Sequence, residues 1–227
     1  MLEVILDTET TGLSVSEKHR IVEIGCIEIE NYLPTNNIFH EYINPERTVS
    51  KEAFNVHGYS DDFLSNKKKF KEISKEFLNF IKGKKVIIHN APFDLSFLNY
   101  ELKLIEEKQI SGLNIIDTLE IARKKYPGSQ NSLDALCKRF RIDNSRREKH
   151  SAILDCELLR EVYIYLLDQK EPKLSLETSE VQDFKFQDKN NQNKKTKGKG
   201  KVIKVSEDEL KSHKSYLKTS LRKNFYN

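Results

Sequence analysis

The first fourteen residues, MLEVILDTETTGLS, constrain the chain more than any other stretch. Leu2 to Leu6 is a short apolar run with two β-branched residues, Val4 and Ile5, the composition of a buried strand. The same strand then carries Asp7, Thr8 and Glu9 out of the core. Side chains alternate faces along a strand, so Asp7 and Glu9 point one way and Thr8 the other. Two carboxylates on one face at the end of a buried strand repel each other unless a positive charge sits between them. A divalent cation is the simplest such charge; a solvated strand end is the bland reading of an isolated D-x-E. Thr10, Thr11 and Gly12 then leave the strand in a turn suited to bringing backbone N–H groups close to a ligand.

Two more strands are expected without a helix between them. Arg20 to Glu30 (RIVEIGCIEIE) nearly alternates apolar and charged residues, as a long half-exposed strand would, and Phe39 to Ile43 follows before Asn44-Pro45. Successive short strands of this kind form an antiparallel meander. Val49 to His57 reads as a short helix or turn. Phe70 to Ile81 has apolar residues at helical spacing and stops at Gly83. Val86 to Ile88 is a brief strand, and Pro92 opens a helix running to Glu107. Asn114 to Ile116 is another strand, followed by helices over Thr118–Lys125, Asn131–Phe140 and Ser151–Leu167. The expected fold is α/β, a mixed sheet with helices packed on its faces.

That pattern breaks near Gln169. Mean hydropathy is −0.65 and 33% of residues are charged, high for a chain that is packed throughout. Residues 171–227 hold 14 Lys and Arg against 8 Asp and Glu, a net of +6, while residues 1–170 hold 25 against 27. The stretch QDFKFQDKNNQNKKTKGKG is polar and poor in aliphatics, so 169–200 is expected to be a flexible polar linker. Beyond it, Ser206-Glu207-Asp208-Glu209 is a capping-box sequence. Leu210, Leu217 and Leu221 then give a stripe that a short tethered helix cannot bury against itself, which suits docking on a partner. Cys26, Cys137 and Cys156 are odd in number and scattered, and no signal-like or membrane-spanning run is present, so a reducing cytoplasm is expected.

Two further segments carry acids. In His89-Asn90-Ala91-Pro92-Phe93-Asp94 a strand ends and a helix begins, placing Asp94 in the first helical turn. In His150-Ser151-Ala152-Ile153-Leu154-Asp155 the last long helix starts, with His150 just before it. Strand ends and helix starts converge at one edge of an open α/β sheet, so Asp7, Glu9, Asp94 and Asp155 are expected to meet there. Four carboxylates are the hard oxygen ligands that a pair of Mg²⁺ ions takes, with places left for water and phosphate. Such a pair activates a water and stabilises the leaving oxygen of a phosphodiester. His150 supplies an imidazole, a group suited to removal of that water's proton.

The segments DTETTG (7–12), HNAPFD (89–94), NSLDALC (131–137) and H-x4-D (150–155) resemble the DEDDh 3′–5′ exonucleases. EAFNVHG (52–58) and RKKYPGSQNSLDALC (123–137) are similar to the proofreading (epsilon) subunits of bacterial DNA polymerase III within that family. The resemblance implies a ribonuclease H-like fold over residues 1–168, and two Mg²⁺ or Mn²⁺ ions held by Asp7, Glu9, Asp94 and Asp155. It implies His150 as general base, and substrate contacts from Asp7, Glu9, Thr10, Thr11, Gly12, His57, Phe93 and Asp155. Asn90 fits an orienting group better than a ligand. The implied substrate is DNA with a single-stranded or frayed 3′ end. Segment 201–227, chiefly 201–223, resembles the family's polymerase-docking tail, which implies binding to the polymerase III α subunit. Glu171–Leu176 stands where the family carries a sliding-clamp peptide, with Glu where that peptide usually opens with Gln. Two other readings are an exoribonuclease trimming RNA 3′ ends with the same carboxylates, and a polymerase-binding scaffold without catalysis.

Overall fold

The computed structural model describes residues 2–110, 115–147, 149–167, 206–209, 211, 212 and 215. Strand β1 (Leu2–Thr10) lies in the middle of a sheet completed by β2 (Ile21–Glu30), β3 (Leu33–Tyr42), β4 (Lys85–Ile88) and β5 (Ile115–Asp117). The order across the sheet is β3-β2-β1-β4-β5. β1, β2 and β3 form an antiparallel meander, whereas β4 and β5 run parallel to β1. The sheet is therefore mixed, as the sequence pattern predicts.

Helices cover both faces. Val4, Leu6, Ile24, Cys26 and Phe39 point to one face, where they pack with Phe70, Ile73 and Phe77 of α3 (Phe70–Ile81) and Phe97 and Leu98 of α4 (Ala91–Leu104). Ile5, Ile27, Ile29 and Ile87 point to the other, against α5 (Thr118–Lys125), α6 (Leu133–Phe140) and α7 (Ala152–Leu166). At about 25 cal/mol per Å² of apolar surface buried, these two layers are the main source of stability. The expected helix over Val49–His57 is α1 (Lys51–His57), capped by Ser50, whose Oγ accepts from the Ala53 N–H. A 3-10 turn at Val15–Glu17 and a short helix at Asp61–Ser65 were not legible in the sequence pattern.

One expectation is overturned. β2 is buried from Ile21 to Ile29, not half-exposed. Its alternating acids are satisfied inside the protein: Glu28 meets the Lys84 ammonium at 2.5 Å and the Thr35 hydroxyl at 2.7 Å, and Glu23 has four partners described below. Gly25 sits under α7, where an added Cβ would lie 2.6 Å from the Ala152 carbonyl carbon, so the helix start rests on the strand backbone. Asp7 is the residue paired with Gly25 across β1 and β2.

Ser206 and Glu209 form the expected capping box, with the Ser206 N–H donating to Glu209 Oε2 at 3.0 Å and the Glu209 N–H donating back to Ser206 Oγ at 3.3 Å. Residues 207–209, 211, 212 and 215 are helical; the leucine stripe of the expected tail helix, the 169–200 linker and Glu171–Leu176 lie outside the described residues. Among the described residues no helix is long and apolar enough to cross a membrane.

Candidate active site

Parallel pairing of β1 with β4 brings their C-terminal ends to the same edge. β1 delivers Asp7 and Glu9 there. The chain turns sharply after β4, with Asn90 in the left-handed region at φ 68°, and α4 starts at once with Pro92 in its first turn and Asp94 behind it. The seat of α7 on Gly25 places Asp155 in the same space. Asp7, Glu9, Asp94, His150 and Asp155 line one cavity of about 290 Å³. Ligand atoms of Glu9, His150 and Asp155 all lie within 4.8 Å of one another.

The carboxylates are placed against their own electrostatics. Burial, then the charges of Asp94, Asp155 and Glu9, hold the Asp7 carboxyl well above the usual carboxylate range. Burial, then Asp155 and Glu23, pushes Glu9 up to about 8. Burial raises Asp94 to about 7 against the pull of Thr8, whose N–H and hydroxyl both donate to Asp94 Oδ1, at 3.1 and 2.7 Å. Thr8 points away from Asp7 and Glu9, so the strand's alternation gives its opposite face to orienting the third acid. Among the described residues no hydrogen bond reaches the carboxylate of Asp7 or Glu9. A cluster of hard, partly desolvated and unsatisfied oxygens is the donor chemistry that accepts Mg²⁺ or Mn²⁺.

The cation present beside them is Arg147. Its Nε and Nη2 donate to the two oxygens of Asp155 at 2.5 and 2.6 Å, its Nη1 to Asp134 at 2.6 Å, and its Nη2 to His150 Nδ1 at 2.8 Å. A guanidinium only donates, so Nδ1 carries the lone pair of His150. The same nitrogen lies 3.4 Å from Asp155 and 3.9 Å from Glu9.

A second cavity, of about 440 Å³, opens on the other side of Glu9 and shares Thr8, Glu9 and Phe93 with the first. Thr10, Gly12, Leu13 and His57 also line it. Phe93 serves twice, packing on Phe97 at 5.0 Å between centroids and walling both cavities. His57 is 3% exposed, stacks on Tyr59 and accepts that residue's N–H at Nδ1. Its Nε2 is the buried side-chain nitrogen that finds no hydrogen-bond partner among the described residues. With Nδ1 accepting, Nε2 carries the proton, and the ring borders the cavity beside the Thr10 backbone. Thr11 is the expected contact that lines neither cavity. Its side chain is fully buried, its hydroxyl accepts the Arg20 N–H and meets His19 Nδ1, and its N–H and C=O bond Arg20 and Ser50. Gly12 lets the His19 ring lie where a Cβ would be, 2.3 Å away.

Glu23 went unnoticed in the sequence and supports the whole edge. It is fully buried. Oε1 accepts from His40 Nε2 at 2.7 Å and Ser151 Oγ at 3.0 Å; Oε2 accepts from the Tyr59 hydroxyl at 2.8 Å and the Ala152 N–H at 2.9 Å. One carboxylate thereby joins β2 and β3, the loop after α1 that carries Tyr59, and the start of α7. No sequence signal marks it, since E-I-G in a strand reads as a surface acid.

Comparison with known proteins identifies the family. The exonuclease family model of RNase T type matches residues 4–163. DNA polymerase III subunit epsilon of Rickettsia felis is 47% identical over 223 residues, 97% of each chain. The Escherichia coli K12 protein of the same name is 46% identical over 169 residues, 71% of this chain and 70% of that one. This chain belongs to the epsilon-subunit family of exonucleases. The nuclease domain of 3′hExo, a DEDDh family member solved with rAMP, superposes with a TM-score of 0.64 over 74% of this chain and 92% of that one. At 19% identity that likeness carries the fold alone, and the fold is ribonuclease H-like. Exonucleases of this family depend on divalent metal, and the acidic cavity of this epsilon-family chain has the donor set for it.

Proposed function

We propose that this exonuclease removes nucleotides from DNA 3′ ends for a replicative polymerase, releasing nucleoside 5′-monophosphates, with two Mg²⁺ or Mn²⁺ ions held by Asp7, Glu9, Asp94 and Asp155. The observation that carries the reading is one cavity lined by four acids and a histidine, with no hydrogen bond to the carboxylates of Asp7 and Glu9 among the described residues. When bound, the ions supply a polarised water and a stabilised leaving oxygen. The chain's own residues supply the rest. Thr8 fixes the orientation of Asp94. His150 takes the proton of the attacking water at Nδ1, which lies beside the carboxylates, once Arg147 moves off that nitrogen to admit the water. Arg147 also shares Asp155 with any ion that arrives there.

The terminal nucleoside fits the 440 Å³ cavity, with a ring against Phe93 and an acceptor on His57 Nε2. Thr10 and Gly12 shape its wall, and Thr11 acts through the turn it ties together. An unpaired 3′ base reaches such a pocket at lower cost than a paired one, which is the physical basis of editing. The intact acid set speaks against a scaffold without catalysis, and the expected tethered tail against a stand-alone RNA trimmer.

Residues 1–168 form the nuclease domain in this reading, 169–200 a linker and 201–227 the docking segment for the polymerase III α subunit. Glu171–Leu176 is a candidate clamp peptide, and the cytoplasm is the compartment. The test compares matched DNA and RNA oligonucleotides, paired and mispaired, in Mg²⁺ and Mn²⁺. We expect Asp7→Ala to abolish monophosphate release with the fold intact; near-normal activity in that variant rejects the metal assignment, and preference for RNA rejects the substrate.

A further inference from the structure

A third cavity remains after the acids and the nucleoside pocket are accounted for. It measures about 560 Å³, lies between α5 and α6, and shares His89, Asn90, Ser132 and Leu133 with the acidic cavity. The acidic cavity in turn shares Thr8, Glu9 and Phe93 with the nucleoside pocket, so the three are contiguous and the acids occupy the middle.

The two outer cavities differ in chemistry. The nucleoside pocket is walled by Leu13, Val56 and Phe93, whereas the third contains Arg123, Ser129 and Ser132. Among the described residues Arg123 is the one fixed cation lining this cavity, because burial lowers the pKa of its other basic group, His89. The remaining α5 cations are engaged: Lys124 Nζ lies 2.6 Å from Glu120, and Lys125 Nζ donates to the Leu166 carbonyl. Arg123 has neither a carboxylate nor a carbonyl within bonding distance among the described residues. Ser132 Oγ accepts the Ala135 N–H, which leaves its own proton to donate outward.

A strand whose last nucleoside fills the apolar pocket sets its scissile phosphate at the acids, and the next sugar and phosphate must leave on the far side. There the strand has just passed a concentration of negative charge, and an unpaired guanidinium offers bidentate hydrogen bonding to a phosphodiester. We propose that this third cavity is the subsite for the nucleotide preceding the terminal one, and that Arg123 bonds the phosphodiester on that nucleotide's 5′ side. The inference rests on the exonuclease reading and adds strand direction across the sheet edge to it.

The experiment uses the full chain with Mg²⁺ and two substrates. One is a single-stranded DNA decamer; the other is the p-nitrophenyl ester of thymidine 5′-monophosphate, which has a scissile phosphate and no phosphate beyond it. For Arg123→Gln we expect KM on the decamer to rise about tenfold, the worth of one charge-assisted hydrogen bond. The slope of log affinity against log salt should fall by about one. Hydrolysis of the ester should be unchanged, and Arg123→Lys should restore the salt slope with only part of the KM. Unchanged decamer kinetics, or parallel losses on both substrates, overturns the subsite. Failure of the unmodified chain to hydrolyse either substrate overturns the exonuclease reading itself, and this subsite with it.

Discussion

Glu9 and Glu23 face each other across β1 and β2, two glutamates in register and both buried, with opposite situations. Glu23 accepts four hydrogen bonds from three segments. Glu9 accepts none among the described residues, and its neighbours Asp155 and Glu23 are themselves acids. A buried carboxylate with every lone pair filled is a structural tie. The same group left unsatisfied beside others of its sign stores free energy that a cation releases. Burial alone separates neither from the other; the partners do.

The comparison breaks first on activity. Glu9→Gln should lower turnover more than about a hundredfold, above the cost of losing a supporting contact around a metal. The same substitution should raise the melting temperature of metal-free protein at pH 7, since it removes a carboxyl that must take up a proton to fold there. A fall in both would place Glu9 with the structural acids. Glu23→Ala should do the reverse in stability. It strands the Ala152 N–H and the Tyr59 hydroxyl at roughly 1–3 kcal/mol for each buried group, and denaturant melts should show about 2–4 kcal/mol lost.

Titration of metal-free protein sharpens the same contrast. The folded state holds a proton on Glu9 up to about 8, whereas the unfolded chain releases it near 4.5. Between those values the folded state binds more protons, so stability falls as pH rises from 4.5 to 8 and the contribution is gone above that. Asp94, raised to about 7, acts in the same direction. Saturating Mg²⁺ should flatten the slope, because an ion that binds the folded state stabilises it most where the acids are charged. Thermal melts at pH 5, 6.5 and 8 with and without EDTA would show it. The smallest effect is expected at Gly12→Ala, whose Cβ must displace the His19 ring. We expect KM on a DNA decamer to rise a few fold, with kcat nearly kept; an unchanged KM would show that this turn does not shape the nucleoside pocket.

Much of this was legible beforehand. Helix α3 was readable to the residue from its spacing, and α4 from Pro92, because local periodicity and caps decide them. The acids were legible as a group because strand ends and helix starts meet at one sheet edge. Glu23 was not. Its partners His40, Tyr59 and Ser151 lie 17, 36 and 128 residues away. An alternating strand reads the same whether its charges face water or such partners. Arg147 was hidden for a similar reason, since one arginine in RREKH looks like any solvated cation until Asp134 and Asp155 converge on it.

The contact of Gly25 with Ala152 sets how wide the catalytic mouth is. Because main chain touches main chain there, the span from the end of β1 to the start of α7 has no side chain acting as a spacer. Drift among the leucines and isoleucines beneath can cost stability while leaving the aperture unaltered. A methyl at position 25, by contrast, would open it like a shim under a hinge.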